Sequence, residues 1–163
     1  MQIKYKGGDK FEIKSKDIDV IFAGGVSVNG FAFPGPGEYE KAGVILNGIS
    51  DGENTIYVAK IEEINLGYLN KVSHDLSEEE TKAIGDIDIL ILPLGEEGTI
   101  DIKTALKIIS KIDPRVVIPM LYDGDLAEFK KSEGITDGET DILKIRKAEL
   151  PEEERMTVIL SAS

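Results

Sequence analysis

The chain has 163 residues, 31 acidic and 19 basic side chains, a formal net charge of −12 at pH 7, no cysteine and a single histidine. That length suits one domain over residues 1–163, and a hydrophobic share of 41% belongs to a globular chain, richer in Ile, Leu and Val than a disordered acidic one. Without cysteine there can be no disulfide scaffold, thiolate zinc site, iron–sulfur cluster or cysteine nucleophile. The charge disfavours nucleic acid and anionic membranes as partners, and no signal-like or membrane-length apolar run is present, so a soluble cytoplasmic domain is the expectation.

The first half reads as strands. Ile3 and Tyr5 alternate with lysines, Phe11 and Ile13 alternate with Glu12 and Lys14, and Gly7-Gly8-Asp9 turns between the two runs. Ile18, Val20 and Phe22 continue the period of two; Ala23-Gly24-Gly25 and Asn29-Gly30 punctuate Val26, Val28, Phe31 and Phe33. Pro34-Gly35-Pro36-Gly37 is a stiff loop. Strands follow over 43–49, 55–61 and 64–66, and no helix is expected before about residue 76.

The second half alternates helix and strand. Ser77 with Glu80 three residues on makes a capping box, and Glu78 and Glu79 suit the positive end of a helix dipole. The run 87–92 reads as a buried strand. Asp101 caps a helix carrying Ala105, Leu106, Ile108, Ile109 and Ile112, which Pro114 ends. Val116 to Ile118 form a second buried strand, closed by Pro119, giving a βαβ unit with parallel strands. A short helix is expected over 126–131 and a last strand over 157–160.

Candidate chemistry is sparse. His74 is the one possible histidine base, in a polar loop among Ser73, Asp75 and Ser77, where capping is the simpler role. Metal sites with two histidines are excluded by count. Carboxylate sites for calcium or magnesium would draw on Asp123 and Asp125, or on Asp137, Glu139 and Asp141, but neither run has the EF-hand glycine. The glycines lack a Gly-Lys-Ser/Thr ending. Lys103, Lys107 and Lys111 share one helix face and, like Glu152, Glu153 and Glu154, read as solvated charge.

Three segments together resemble one family. They are Phe33-Pro34-Gly35-Pro36-Gly37-Glu38-Tyr39-Glu40 leading to Gly43-Val44, then Leu66-Gly67-Tyr68-Leu69 with Ser73-His74-Asp75-Leu76-Ser77, and finally 88–95 with Thr99-Ile100-Asp101 and 113–122. In this order and spacing they resemble the small bacterial zinc-dependent hydrolases of the metallo-β-lactamase superfamily. The resemblance implies an α/β layered sandwich of two stacked mixed β-sheets. The chain is shortened where the family's N-terminal helices fall, so helices should mainly cover the C-terminal sheet. It also implies zinc, yet the residues that would hold it are missing. The stretch from Ala23 to Gly30 has no histidine or acid, Asp51 to Asn54 replace a longer insertion, and Asp9, Tyr68 and Leu121 stand at expected ligand positions.

No catalytic residue, metal ligand or cofactor is therefore expected, and Tyr68, His74, Leu121 and Tyr122 mark a vestigial cleft. The leading expectation is a metal-free, non-catalytic protein acting by binding or assembly. The alternatives are a divergent metal-dependent hydrolase and a small-ligand binding module using that cleft. Apolar residues on both faces of the strands at 44–49 and 55–59 suggest a face needing cover, hence a homodimer through the uncovered N-terminal sheet.

Overall fold

Alternation with period two makes strands of most of the first half, and long-range pairing sorts them into two sheets. The computed structural model describes residues 1–122, 126–135 and 138–163. The chain begins with β1 (Gln2–Gly7), β2 (Lys10–Ser15), β3 (Ile18–Ala23), β4 (Val26–Val28) and β5 (Phe31–Phe33). Next come β6 (Gly37–Lys41), β7 (Val44–Ser50), β8 (Thr55–Ile61), β9 (Ile64–Tyr68) and the helix α1 (Glu78–Ile84). Then follow β10 (Ile89–Pro93), α2 (Ile102–Ile112), β11 (Val116–Met120), α3 (Ala127–Glu133), β12 (Leu143–Lys144) and β13 (Met156–Thr157).

The N-terminal sheet has the order β12-β1-β2-β3-β4-β5, antiparallel throughout. The second has the order β13-β11-β10-β9-β8-β7-β6. Its β6 to β9 edge is antiparallel, and β9, β10, β11 and β13 run parallel. The β10-α2-β11 segment is thus the parallel unit that the sequence predicts. Between the sheets, Phe11, Ile13, Val20 and Phe22 meet Leu46, Leu66, Ile89 and Ile118 in one core. A second core lies on the other face of the second sheet, where Ile56, Leu90, Leu92 and Val117 pack against Ile84, Ile108, Ile109 and Phe129 of the three helices. Both faces of β10 are therefore covered, which is why all five of its residues are buried.

Every α-helix among the described residues packs on the second sheet, as the shortened sequence implies. Over β1 and β2 the uncovered face of the N-terminal sheet is polar, however. Ile3, Tyr5, Phe11 and Ile13 point inward, so Lys4, Lys6, Glu12 and Lys14 face outward. The two-sided apolar strands behind the dimer expectation are β7 and β8, and they belong to the helix-covered sheet, where Ile56 joins the helix-side core. The N-terminal sheet therefore offers a second copy charged rows over β1 and β2, with small and apolar groups only toward β4 and β5.

Three local readings shift. Pro119 lies inside β11 and does not close it. Met120 O accepts from Leu94 on the β10 side, and Val117 O accepts from Val158 on the β13 side. Alternation then points the Pro119 nitrogen toward β13, beyond the last paired residue of that short strand, where no donor is required. The glycine-proline loop runs straight into β6 at Gly37, and the last strand is Met156–Thr157, with Leu160 making only an isolated bridge to Thr140.

The capping box forms as read: Ser77 Oγ accepts from the Glu80 N–H at 3.1 Å, and the Glu80 carboxylate accepts from the Ser77 N–H at 2.9 Å. Ser77→Ala is expected to lower stability by about 1 kcal/mol. Urea titration followed by circular dichroism reads the change, and an unaltered midpoint would deny the cap any net worth.

Candidate functional site

The carboxyl ends of β9, β10 and β11 lie side by side, the place where open parallel sheets collect ligands. Tyr68 ends β9, Leu94 and Gly95 leave β10, and Leu121 and Tyr122 leave β11. Gly95 bridges Tyr122, and the Glu96 N–H donates to Leu121 O at 3.0 Å, so the last two connections are tied together. Leu121 holds φ of 48° and Asn70 φ of 57°. Asparagine accepts that left-handed backbone more readily than leucine, so Leu121 is the strained position at this rim.

Turns from the N-terminal sheet close over these ends. Tyr68 is fully buried, with its ring stacked on Phe22 at 4.7 Å between centroids. Its hydroxyl donates to Asp9 O at 2.8 Å and accepts from the Gly24 N–H at 3.1 Å. The Asn70 side-chain amide donates to Gly24 O at 2.8 Å and to Thr55 O at 3.0 Å. One side chain at the end of β9 and one two residues beyond it thus hold the β1–β2 turn, the β3–β4 turn and the start of β8. Burial pushes the Tyr68 phenol well above its usual range, against the opposing pull of the Gly24 N–H, so the hydroxyl keeps its proton. Nearby, Tyr5 donates to Gly8 O at 2.7 Å, and Lys71 Nζ stands 3.8 Å from the Asp9 carboxylate.

Of the four predicted cleft residues, Tyr68, Leu121 and Tyr122 stand at these strand ends. Tyr122 is half-buried between the two cores, its phenol pushed up by burial and by Glu139. His74 instead joins the cap of α1, with Nε2 3.2 Å from the Glu80 carboxylate. Burial pushes Glu80 up, but the Ser77 N–H and hydroxyl and the His74 ring outweigh it and hold the carboxyl below its usual range. Asp9, which the resemblance places at a ligand position, joins the site through its main-chain carbonyl, and Gly24 and Asn70 complete it without having been predicted as part of the cleft. The signal for Asn70 was a polar residue directly after the apolar run ending at Leu69, followed only by Lys71 before the apolar Val72.

The zinc implied by the family requires donors that these residues do not offer. A neutral phenol that donates its proton to Asp9 O and whose oxygen already accepts from the Gly24 N–H is a poor ligand for a cation, and Leu121 has no donor atom at all. Asn70 Oδ1 is buried without a hydrogen-bond partner among the described residues, but it is a single neutral oxygen. Among the described residues no three His, Cys, Asp or Glu side chains converge on a point that could hold an ion. Of the carboxylates considered for calcium, Asp123, Asp125 and Asp137 lie outside the described residues. Asp141 accepts from Ser161 at 2.7 Å.

Comparison with known proteins agrees with this geometry at the level of fold. The family described as Beta-lactamase superfamily domain matches residues 7–121. The UPF0173 protein PF0020 of Pyrococcus furiosus is 35% identical over 78 residues, 40% of this chain and 37% of that one. The UPF0173 metal-dependent hydrolase PH1671 of Pyrococcus horikoshii is 31% identical over 98 residues, 52% of this chain and 43% of that one. The matched segments thus span less than half of those relatives. A crystal structure from Thermotoga maritima, described as a candidate Zn-dependent hydrolase of the metallo-beta-lactamase superfamily, aligns over 99% of this chain and 100% of that one, with a TM-score of 0.81 and 22% identity. Igni18, described as a metallo hydrolase of Ignicoccus hospitalis, aligns over 89% of this chain and 99% of that one, with a TM-score of 0.64 and 15% identity. At these identities the solved structures speak for the fold alone.

Proposed function

The chain belongs to the beta-lactamase superfamily, and we propose that it is a member which works by binding, without a catalytic metal ion. The observation that carries this reading is the Tyr68 phenol. It sits at the strand ends, fully buried, with its proton given to Asp9 O and its oxygen taken by the Gly24 N–H. A side chain so engaged ties loops together. It neither generates a nucleophile nor polarises a substrate, since both tasks need a group that can exchange partners during the reaction.

A second reading, a divergent metal-dependent hydrolase, is favoured by the names of the Pyrococcus relatives. Elemental analysis of chelator-free protein separates the two, alongside an assay for hydrolysis of activated phosphodiesters and esters. The binding reading expects no stoichiometric metal and an unfolding temperature indifferent to chelation. One or more zinc, manganese or iron ions per chain, with hydrolysis lost on chelation, would establish the hydrolase instead.

A further inference from the structure

The outward face of the N-terminal sheet has a charge opposite to that of the chain. Lys4 and Lys6 on β1, Lys10 and Lys14 on β2, and Lys144 on β12 occupy outward positions. Only two carboxylates stand among them, Glu12 and Asp19. Five lysines against two acids leave three positive charges in excess on a protein of net charge −12. Glu12 is 2.9 Å from Lys14 and 3.7 Å from Lys6. The Lys14 hydrogen bond leads the causes that hold its carboxyl below the usual range, with Lys6 and Lys4 adding to it. Among the described residues, Lys4, Lys10 and Lys144 have no ion-pair partner.

A second observation concerns shape. Beside the lysines, toward β4 and β5, the same face carries small and apolar groups. A shallow hollow of about 220 Å³ is lined there by Ile21, Ala23, Gly25, Val26, Ser27 and Ala32. No helix among the described residues covers it. The hollow suits one apolar side chain, and the lysine rows beside it suit carboxylates. The outward positions of β1 to β4 carry no aromatic side chain, and the exposed Phe31 of β5 pairs with the inward Val28, on the side opposite to Ala32, so this face lacks the stacking component of single-strand recognition. The negative remainder of the protein also repels a long polyanion.

We propose that this sheet face is a docking surface for an acidic segment of another protein, with carboxylates over the lysine rows and one apolar side chain in the hollow. This deepens the binding reading by naming the kind of partner. The hollow adjoins the Tyr68 site, since Ala23 and Gly25 flank Gly24, but the lysine rows form none of the hydrogen bonds that hold Tyr68, so metal at the strand ends would overturn that reading and leave this one intact.

The probes are a polyglutamate peptide, the same peptide with one central leucine, and a short DNA duplex, each titrated against the full chain at low and moderate salt. The polyglutamate is expected to bind, more tightly at low salt, and the leucine is expected to strengthen binding several-fold. Lys10→Glu/Lys14→Glu/Lys144→Glu should weaken both peptides by about tenfold or more. Ala32→Glu, which fills the hollow, should abolish the advantage of the leucine. Lys103→Glu/Lys107→Glu on α2 is the control and should leave binding within about twofold. The proposal is overturned by absence of peptide binding, by equal losses in the α2 control, or by tighter binding of the duplex than of the peptides. The neutral Lys10→Gln/Lys14→Gln variant keeps the test open should the triple reversal unfold; it should still weaken binding, and no loss would also overturn the proposal.

Discussion

Tyr68→Ala is expected to destabilise the protein by about 3–5 kcal/mol, the range for removing a buried aromatic ring. Tyr68→Phe should cost about 1–3 kcal/mol, because it leaves Asp9 O and the Gly24 N–H without their partner while keeping the ring on Phe22. The two substitutions separate the ring from the hydroxyl. Urea denaturation supplies the totals, and hydrogen exchange supplies the location: in Tyr68→Phe, amide protection should fall at Gly24 and around Asp9 while the core strands stay protected. If Tyr68→Phe leaves both measurements unchanged, the hydroxyl does not hold the loops, and the main support for a binding role is lost.

The second large effect is expected at Phe22. It is fully buried between the sheets, stacked on Tyr68 at 4.7 Å and tilted against Tyr57 at 6.4 Å. Phe22→Ala should cost about 3–5 kcal/mol, a large share of the roughly 5–15 kcal/mol that a domain possesses. Because Phe22 and Tyr68 touch, the double substitution Phe22→Leu/Tyr68→Leu, which removes both rings and keeps apolar bulk, should not equal the sum of its single changes. The coupling should be favourable by about 0.5–1.5 kcal/mol, the worth of an aromatic pair beyond its buried area. Calorimetric melting of the four proteins in the cycle measures it. A coupling of zero would make the stack an incidental consequence of packing.

These two side chains explain why the site joins the halves of the molecule. Phe22 belongs to β3 of one sheet and Tyr68 to β9 of the other, while Gly24 follows directly after β3. A metal centre would fasten such turns through several ligands. Here one phenol and one amide make four hydrogen bonds to main-chain groups of three separate segments. Such bonds ask little of the partner side chains, which is compatible with a glycine at position 24 and with an alternating strand sequence around it.

Much of this was legible before any coordinates. The capping box at Ser77 and Glu80, the helical spacing of Ala105, Ile108 and Ile109, and the alternation at Phe11 and Ile13 are local signals, set within one turn or one strand. The shortage of metal donors was equally legible, because it depends only on which side chains exist: one histidine and no cysteine. Strand β6 was missed because Pro34 to Gly37 masked its start, and β12 because two residues carry too little pattern to detect.

The sequence by itself therefore determined the element types, the parallel unit and the poverty of the ligand set. Tertiary structure alone decided what replaced the ligands. Tyr68 meets Asp9 across 59 positions of chain, and Asn70 meets Gly24 across 46. It also decided that the bare face over β1 and β2 is basic and that β7 and β8 belong to the covered sheet, because by local pattern they could have joined either one. Periodicity tells which side chains share a face, but only long-range pairing tells what that face meets.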